Sequence, residues 1–153
     1  MISNLEVIFL QGNCLYDNIP PSIFSNQSHI ESFDVSNNQL KGVLSFSAFV
    51  NASSLKELDL SSNYNLEVET KSPSWVPAFQ LMSLILDSCN INKKNNHVVP
   101  SFISTQFSLV VLDLSKNSIE RSIPCYLLFN MSLKFPSLRS NKHDGSFLYC
   151  FAN

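Results

Sequence analysis

One spacing of apolar residues recurs along this chain about every 25 positions. It is clearest at Leu55-x-x-Leu58-x-Leu60-x-x-Asn63 and at Leu109-x-x-Leu112-x-Leu114-x-x-Asn117-x-Ile119. Two earlier copies hold the same phase, Leu5, Ile8, Leu10, Asn13, Leu15 and Ile30, Phe33, Val35, Asn38, Leu40. A fourth reads Leu81, Leu84, Leu86, Cys89, Ile91, and a degraded sixth reads Leu133, Pro136, Leu138, Asn141, His143. In the third copy Leu66 arrives one place late. The lead residues at 5, 30, 55, 81, 109 and 133 are separated by 25, 25, 26, 28 and 24 positions. The middle of each phrase alternates with period two, which predicts a short strand with one buried face. Six phased copies predict stacked coils, each strand lying roughly 4.8 Å from the last in a parallel sheet.

The polar positions carry as much information as the apolar ones. An Asn stands where the chain leaves each strand and turns inward. Its amide supplies donors and an acceptor for backbone groups that the turn would otherwise strand in the interior. Cys89 takes that place in the fourth copy. A small buried thiol fits there, so Cys89 reads as core and not as a nucleophile or ligand. Gly42 and Gly145 fall at a recurring glycine turn, and the chain holds only 3 glycines, too few for a phosphate-binding loop.

The phrase resembles the leucine-rich repeat, whose unit runs to about 20–29 residues. That resemblance implies an α/β repeat fold: a curved leucine-rich repeat solenoid with a parallel β-sheet on the concave face and a short helical or irregular convex side. Residues 1–153 make one such domain. Several copies continue past the Asn in a further pattern: Leu15 to Ile19-Pro20, Leu40-Lys41-Gly42-Val43-Leu44, and Ile119 to Ile123-Pro124. This continuation is similar to the plant-type unit of extracellular receptors, and most of all to plant receptor-like proteins. Those carry an extracellular repeat array, a membrane span and a short tail. The segment Ser74-Trp75-Val76-Pro77-Ala78-Phe79-Gln80-Leu81, running on to Leu86-Asp87-Ser88-Cys89-Asn90, resembles a non-consensus repeat of that group. So does Leu138-Arg139-Ser140-Asn141-Lys142.

The resemblance implies a peptide or protein ligand and a co-receptor kinase. The parent proteins would perceive signals in defence or development at the extracellular face of the plasma membrane. A secreted inhibitor of a wall-degrading enzyme, or a truncated fragment without function, are the alternatives. The chain departs from the family pattern in lacking a signal peptide, a paired-cysteine cap and any stretch of 18 apolar residues. An internal piece of a longer array is therefore expected, with Ile2, Leu5 and Ile8 on an open end.

Composition then narrows the chemistry. Formal net charge is -2 and only 14% of residues are charged. The best basic run is Lys93-Lys94, read as a solvated loop, so no phosphate footprint suggests nucleic acid. The histidines are His29, His97 and His143; the pair His143-Asp144 has no nucleophile or oxyanion donor in view, and adjacent strand residues point apart. No enzyme, catalytic residue or cofactor is expected, and no C-x-x-C or Cys/His spacing suggests a metal.

Strand alternation instead selects one face. Residues flanking the buried positions project from the concave sheet: Val7, Phe9, Glu31, Asp34, Glu57, Asp59, Ile85, Asp87, Val111, Asp113, Phe135 and Arg139. The middle of this strip is acidic and its ends are apolar, which suits a peptide or protein bearing basic and aromatic groups. Asp in Leu-Asp-Leu-Ser is also a common scaffold residue of the repeat, and both readings stand. Three glycosylation acceptor patterns begin at Asn26, Asn51 and Asn130, three or four residues before a lead position, which places them on one edge of the solenoid. Cys14 and Cys89 lie three coils apart, about 14 Å, too far for a bridge. Cys125 and Cys150 are 25 residues apart at nearly one phase. Their backbones can approach within about 5–6 Å, so they form a disulfide in an oxidising compartment or remain two free thiols.

Overall fold

The computed structural model describes residues 4–24, 29–71, 76–130, 132–145 and 147–152. Asn26, Ile2 and the Ser74-Trp75 pair fall outside the described residues. Nine strands are formed among them. In chain order they are β1 (Val7–Phe9), β2 (Tyr16–Asp17), β3 (Ser32–Asp34), β4 (Gln39–Ser45), β5 (Glu57–Asp59), β6 (Asn65–Glu69), β7 (Ser83–Ile85), β8 (Val111–Asp113) and β9 (Phe135–Ser137). Six of these, one per phrase, build a parallel sheet in the order β1-β3-β5-β7-β8-β9. The register follows the sequence phase, with Ile8, Phe33, Leu58, Leu84, Leu112 and Pro136 in one row. Each strand is only three residues long because the pattern supplies one inward residue between two outward ones.

Behind the strands the aliphatic ladder closes into a core. Leu58, Leu60, Leu84, Leu86, Leu112 and Leu114 are fully or almost fully buried. Asn38, Asn63, Asn117 and Asn141 act as foreseen, and each joins two coils, whereas Asn13 bonds only within its own turn. Asn38 Nδ2 donates to Leu10 O at 2.9 Å, and Leu15 N donates to Asn38 Oδ1 at 2.9 Å. Asn117 Nδ2 donates to Leu86 O at 2.7 Å, and Cys89 N donates to Asn117 Oδ1 at 3.0 Å. Cys89 is buried, and its thiol donates to Leu60 O at 3.0 Å. It thus keeps one of the links an Asn would make. Desolvation pushes the thiol pKa well up, so it stays protonated and unreactive.

A second parallel sheet, β2-β4-β6, lies beyond the Asn turns and is not foretold by the sequence reading. Gly42 corrects the glycine-turn expectation, since it lies inside β4 at φ +79°. A Cβ there would come within 2.2 Å of Asn18 Oδ1. Glycine is required by the left-handed backbone, while the Asn18 side chain is exposed and free to swing aside. Gly145, at φ +77°, stays in a bend as expected.

The return path of each coil is helical but short. It uses 3-10 turns at Pro21–Phe24, Phe46–Phe49, Lys93–Asn95, Ser101–Thr105 and Phe147–Phe151, and one α-helix, α1 (Cys125–Phe129). Lys93 and Lys94 are exposed there, on a turn. Phenylalanines knit these turns together: Phe24 to Phe49 at 4.3 Å, Phe49 to Phe46 at 5.0 Å, Phe46 to Phe102 at 5.1 Å and Phe102 to Phe79 at 6.2 Å between ring centroids. Both ends of the ladder thin out. Leu5, Leu10 and Leu15 are 56%, 44% and 38% exposed in the first coil, and Pro136 is exposed in the last. Among the described residues no helix is long and apolar enough to cross a membrane.

Candidate recognition face

The outward residues of the six-stranded sheet form two registered columns. One runs Val7, Ser32, Glu57, Ser83, Val111, Phe135; the other runs Phe9, Asp34, Asp59, Ile85, Asp113, Ser137. The structure brings five candidate residues together around one open cavity of about 240 Å³: Phe9, Asp34, Glu57, Asp59 and Ile85. Ser32 and Ser83 line it too, and sequence reasoning did not select them although they occupy the same columns. Val7, Asp87, Val111, Asp113, Phe135 and Arg139 lie outside this cavity, while Phe135, 64% exposed, extends the apolar end of the strip. Glu31 stands one position before β3, where it pairs with Lys56 Nζ at 2.7 Å.

The carboxylates have two roles at once. Ser36 N donates to Asp34 Oδ1 at 2.9 Å. Ser61 N and Ser61 Oγ donate to Asp59 Oδ1 at 2.9 and 2.6 Å. Ser115 N and Ser115 Oγ do the same for Asp113 at 2.8 and 2.6 Å. Each Asp therefore anchors the turn that follows its strand with one oxygen, which is the scaffold function of Leu-Asp-Leu-Ser. Its second oxygen is left for other partners. Glu57 Oε2 accepts from Ser32 Oγ at 2.8 Å. Asp87 Oδ2 accepts from Ser88 Oγ at 3.0 Å and from Lys116 Nζ at 3.5 Å.

Crowding these groups has an electrostatic cost. Burial raises the Asp59 pKa, the Ser61 hydrogen bonds oppose the rise, and the charges of Asp34 and Asp87 add to it. A cationic group placed between Asp34, Glu57 and Asp59 would relieve that repulsion. The apolar walls Phe9 and Ile85 would cover its stem. Among the described residues, no group of three or more His, Cys, Asp or Glu side chains is arranged to hold a metal ion.

Two of the histidines contact backbone carbonyls, and His29 is exposed. His97 Nδ1 lies 3.1 Å from Ile91 O, and His143 Nδ1 lies 2.9 Å from Arg121 O. Cys125 and Cys150 are joined by a disulfide, with Cα atoms 5.2 Å apart. Cys14 is free and exposed, and Cys89 is free and buried. Asn51 is exposed, whereas Asn130 is half-buried.

A stack of parallel strands with an inward Asn ladder and a side-chain-lined open sheet is the recognition architecture of leucine-rich repeat proteins. Residues 3–64 match the family described as leucine rich repeat, and residues 108–130 match a second description of the same repeat. The chain is 31% identical over 130 residues to Cuscuta receptor 1 of Solanum lycopersicum, covering 84% of this chain and 11% of that protein. It is 40% identical over 108 residues to Receptor-like protein 13 of Arabidopsis thaliana, covering 70% of this chain and 10% of that one. Its fold is similar to the ectodomain of the Arabidopsis receptor kinase HAESA, solved with an extended IDA peptide hormone. That likeness has a TM-score of 0.73 and 27% identity over 98% of this chain and 24% of that chain. The chain belongs to the leucine-rich repeat proteins of the plant receptor-like kind, and it spans about a tenth of the length of the curated relatives it matches.

Proposed function

We propose that this chain contributes to the ligand-binding face of a cell-surface receptor-like protein and takes a peptide or protein segment carrying a basic residue beside an apolar one. The observation that carries this reading is the cavity in which Asp34, Glu57 and Asp59 face one another between Phe9 and Ile85. A Lys or Arg side chain suits it physically. Its alkyl stem lies on the apolar walls and its charge meets Asp34, Glu57 and Asp59, the last already made costly to ionise by burial. Further support comes from the HAESA ectodomain, whose solved complex holds a peptide hormone. In the full-length protein, binding would be passed to a co-receptor kinase at the plasma membrane, since a recognition solenoid has no signalling chemistry of its own.

The test is selection of a displayed random peptide library on the purified chain, repeated with the Glu57→Lys, Asp59→Lys double variant. Enrichment of Lys/Arg-containing peptides on the native chain, lost on the variant, is the expected result. Enrichment of acidic peptides, or identical pools from both proteins, would overturn the reading.

A further inference from the structure

A second cavity, of about 500 Å³, opens on the helical side of the coils, away from the six-stranded sheet. It is lined by Ser104, Phe107, Tyr126, Phe129, Asn130 and Ser132. Its volume falls within the range of small-ligand sites. Two of its walls are aromatic rings turned to solvent, with Phe107 73% and Phe129 57% exposed. Exposed aromatic surface gathered in one place marks an interaction. Two further lining residues, Asn130 and Ser132, are the first and third residues of a glycosylation acceptor pattern.

Local hydrogen bonds lock the acceptor pattern and the groove into one unit. Asn130 Oδ1 accepts from Ser132 N at 3.1 Å, and Asn130 Nδ2 donates to Gln106 O at 3.2 Å. Ser132 Oγ donates to Phe107 O, tying the acceptor hydroxyl to the aromatic wall. An amide nitrogen carries two hydrogens. The bond to Gln106 uses one, and the other is available for substitution. The helix α1 that ends in Phe129 begins at Cys125, which is bridged to Cys150. Phe151, beside that bridge, meets the Phe129 ring edge-on at 5.8 Å. The bridge and N-linked sugar belong to the same oxidising secretory compartment. Asn51 offers a contrast, because it is exposed and lines none of the cavities described above.

We infer that Asn130 carries an N-linked glycan whose first sugar lies in this groove against Phe107 and Phe129. In the linking step Asn130 Nδ2 bonds to the anomeric carbon of a lipid-linked glycosyl diphosphate. The carbon–oxygen bond to diphosphate breaks, the diphosphate leaves with the electron pair, and Nδ2 gives up one proton. The attached pyranose ring presents C–H groups from one face and hydroxyls around its rim. The C–H face is electropositive and meets the negative faces of the two rings. The rim reaches Ser104 and solvent. The glycan thereby covers apolar surface that is otherwise wet and stiffens the turn leading into β9.

The test uses the full chain secreted from plant cells behind a leader peptide, with glycopeptide mass spectrometry and proton NMR of the first sugar. The expected result is a glycan at Asn130 whose sugar ring protons show ring-current upfield shifts and cross-peaks to Phe107 and Phe129. A glycan at Asn51 should show neither. In a Phe107→Ala, Phe129→Ala variant the shifts should vanish; should that variant misfold, the cross-peaks in the native chain decide alone. An unmodified Asn130 in secreted protein, or a modified one without ring contacts, would overturn the inference. Neither result bears on peptide binding at the sheet, which is read separately.

Discussion

Asn63 is fully buried, yet every polar atom of its side chain is used. Its Nδ2 donates to Val35 O at 3.1 Å and to Leu60 O at 2.8 Å, and its Oδ1 accepts from Leu40 N at 3.1 Å. Two of these three bonds reach the preceding coil. Asn63→Ala leaves buried backbone groups unpaired and should cost on the order of 2–4 kcal/mol. Asn13 has the same phase but is exposed, and its amide donates only within its own turn. Asn13→Ala should cost less than about 1 kcal/mol. Urea titration of both variants measures the contrast, and equal losses would show that the coil-to-coil bonds are unimportant.

Asp59 belongs to the same scale and has the opposite sign. Its folded-state pKa is raised, so the folded chain holds a proton there more readily than the unfolded chain. The ionised group therefore weakens the fold at neutral pH, and its penalty fades as pH falls through the raised pKa. Asp59→Asn keeps an acceptor for Ser61, so it should raise the melting temperature at pH 7, with a smaller gain at pH 4. Melting curves at the two pH values check this. A loss of stability at pH 7 would mean that the turn needs the charge. The Asn ladder was legible from the sequence because a short amide at that spacing can serve backbone groups of two coils. The double role of the aspartates was not, since the alternation says which way Asp59 points but not that Ser61 claims one of its oxygens.

Among the elements, the three-residue strands were the easiest to foresee. One inward residue between two outward ones defines each of them. The sheet β2-β4-β6 was harder, because its apolar alternation is broken by Gly42 and its strands vary from two to seven residues. The phenylalanine spine was harder still. Phe24 and Phe49 stand six places before their lead residues, but Phe46, Phe79 and Phe102 keep other offsets. Repeats of unequal length bring these rings together in space without a fixed phase. The spine nonetheless carries much of the packing on the helical side. Phe49 is fully buried between Phe24 and Phe46. Phe49→Ala should cost about 3–5 kcal/mol by the usual large-to-small scale. Equilibrium denaturation measures it, and a loss below about 1 kcal/mol would mean that the aromatic stack is filler around a self-sufficient sheet.

At the scale of the whole molecule, the strands pair only with those of neighbouring coils and the Phe46–Phe102 contact reaches across one coil, so stability is close to a sum of coil and interface contributions. The interior coils are dense, while the first is half open, with Leu5, Leu10 and Leu15 in contact with solvent. The cavity proposed for recognition sits toward that end, between β1 and β7, where Phe9 forms its outer wall. The proposed binding of a basic segment would thus depend on the register of four neighbouring strands. The class of protein was legible from the sequence, since the register is periodic. The cavity was legible only as a strip, because its depth arises from the different sizes of Ser32, Ser83 and the acidic groups around them. The most direct measurement is amide hydrogen exchange across the full chain, with and without a selected basic peptide. Protection concentrated in β1, β3, β5 and β7, and abolished by the Glu57→Lys, Asp59→Lys double variant, is the predicted result. Protection confined to β2, β4 and β6 or to the helical side would contradict the account.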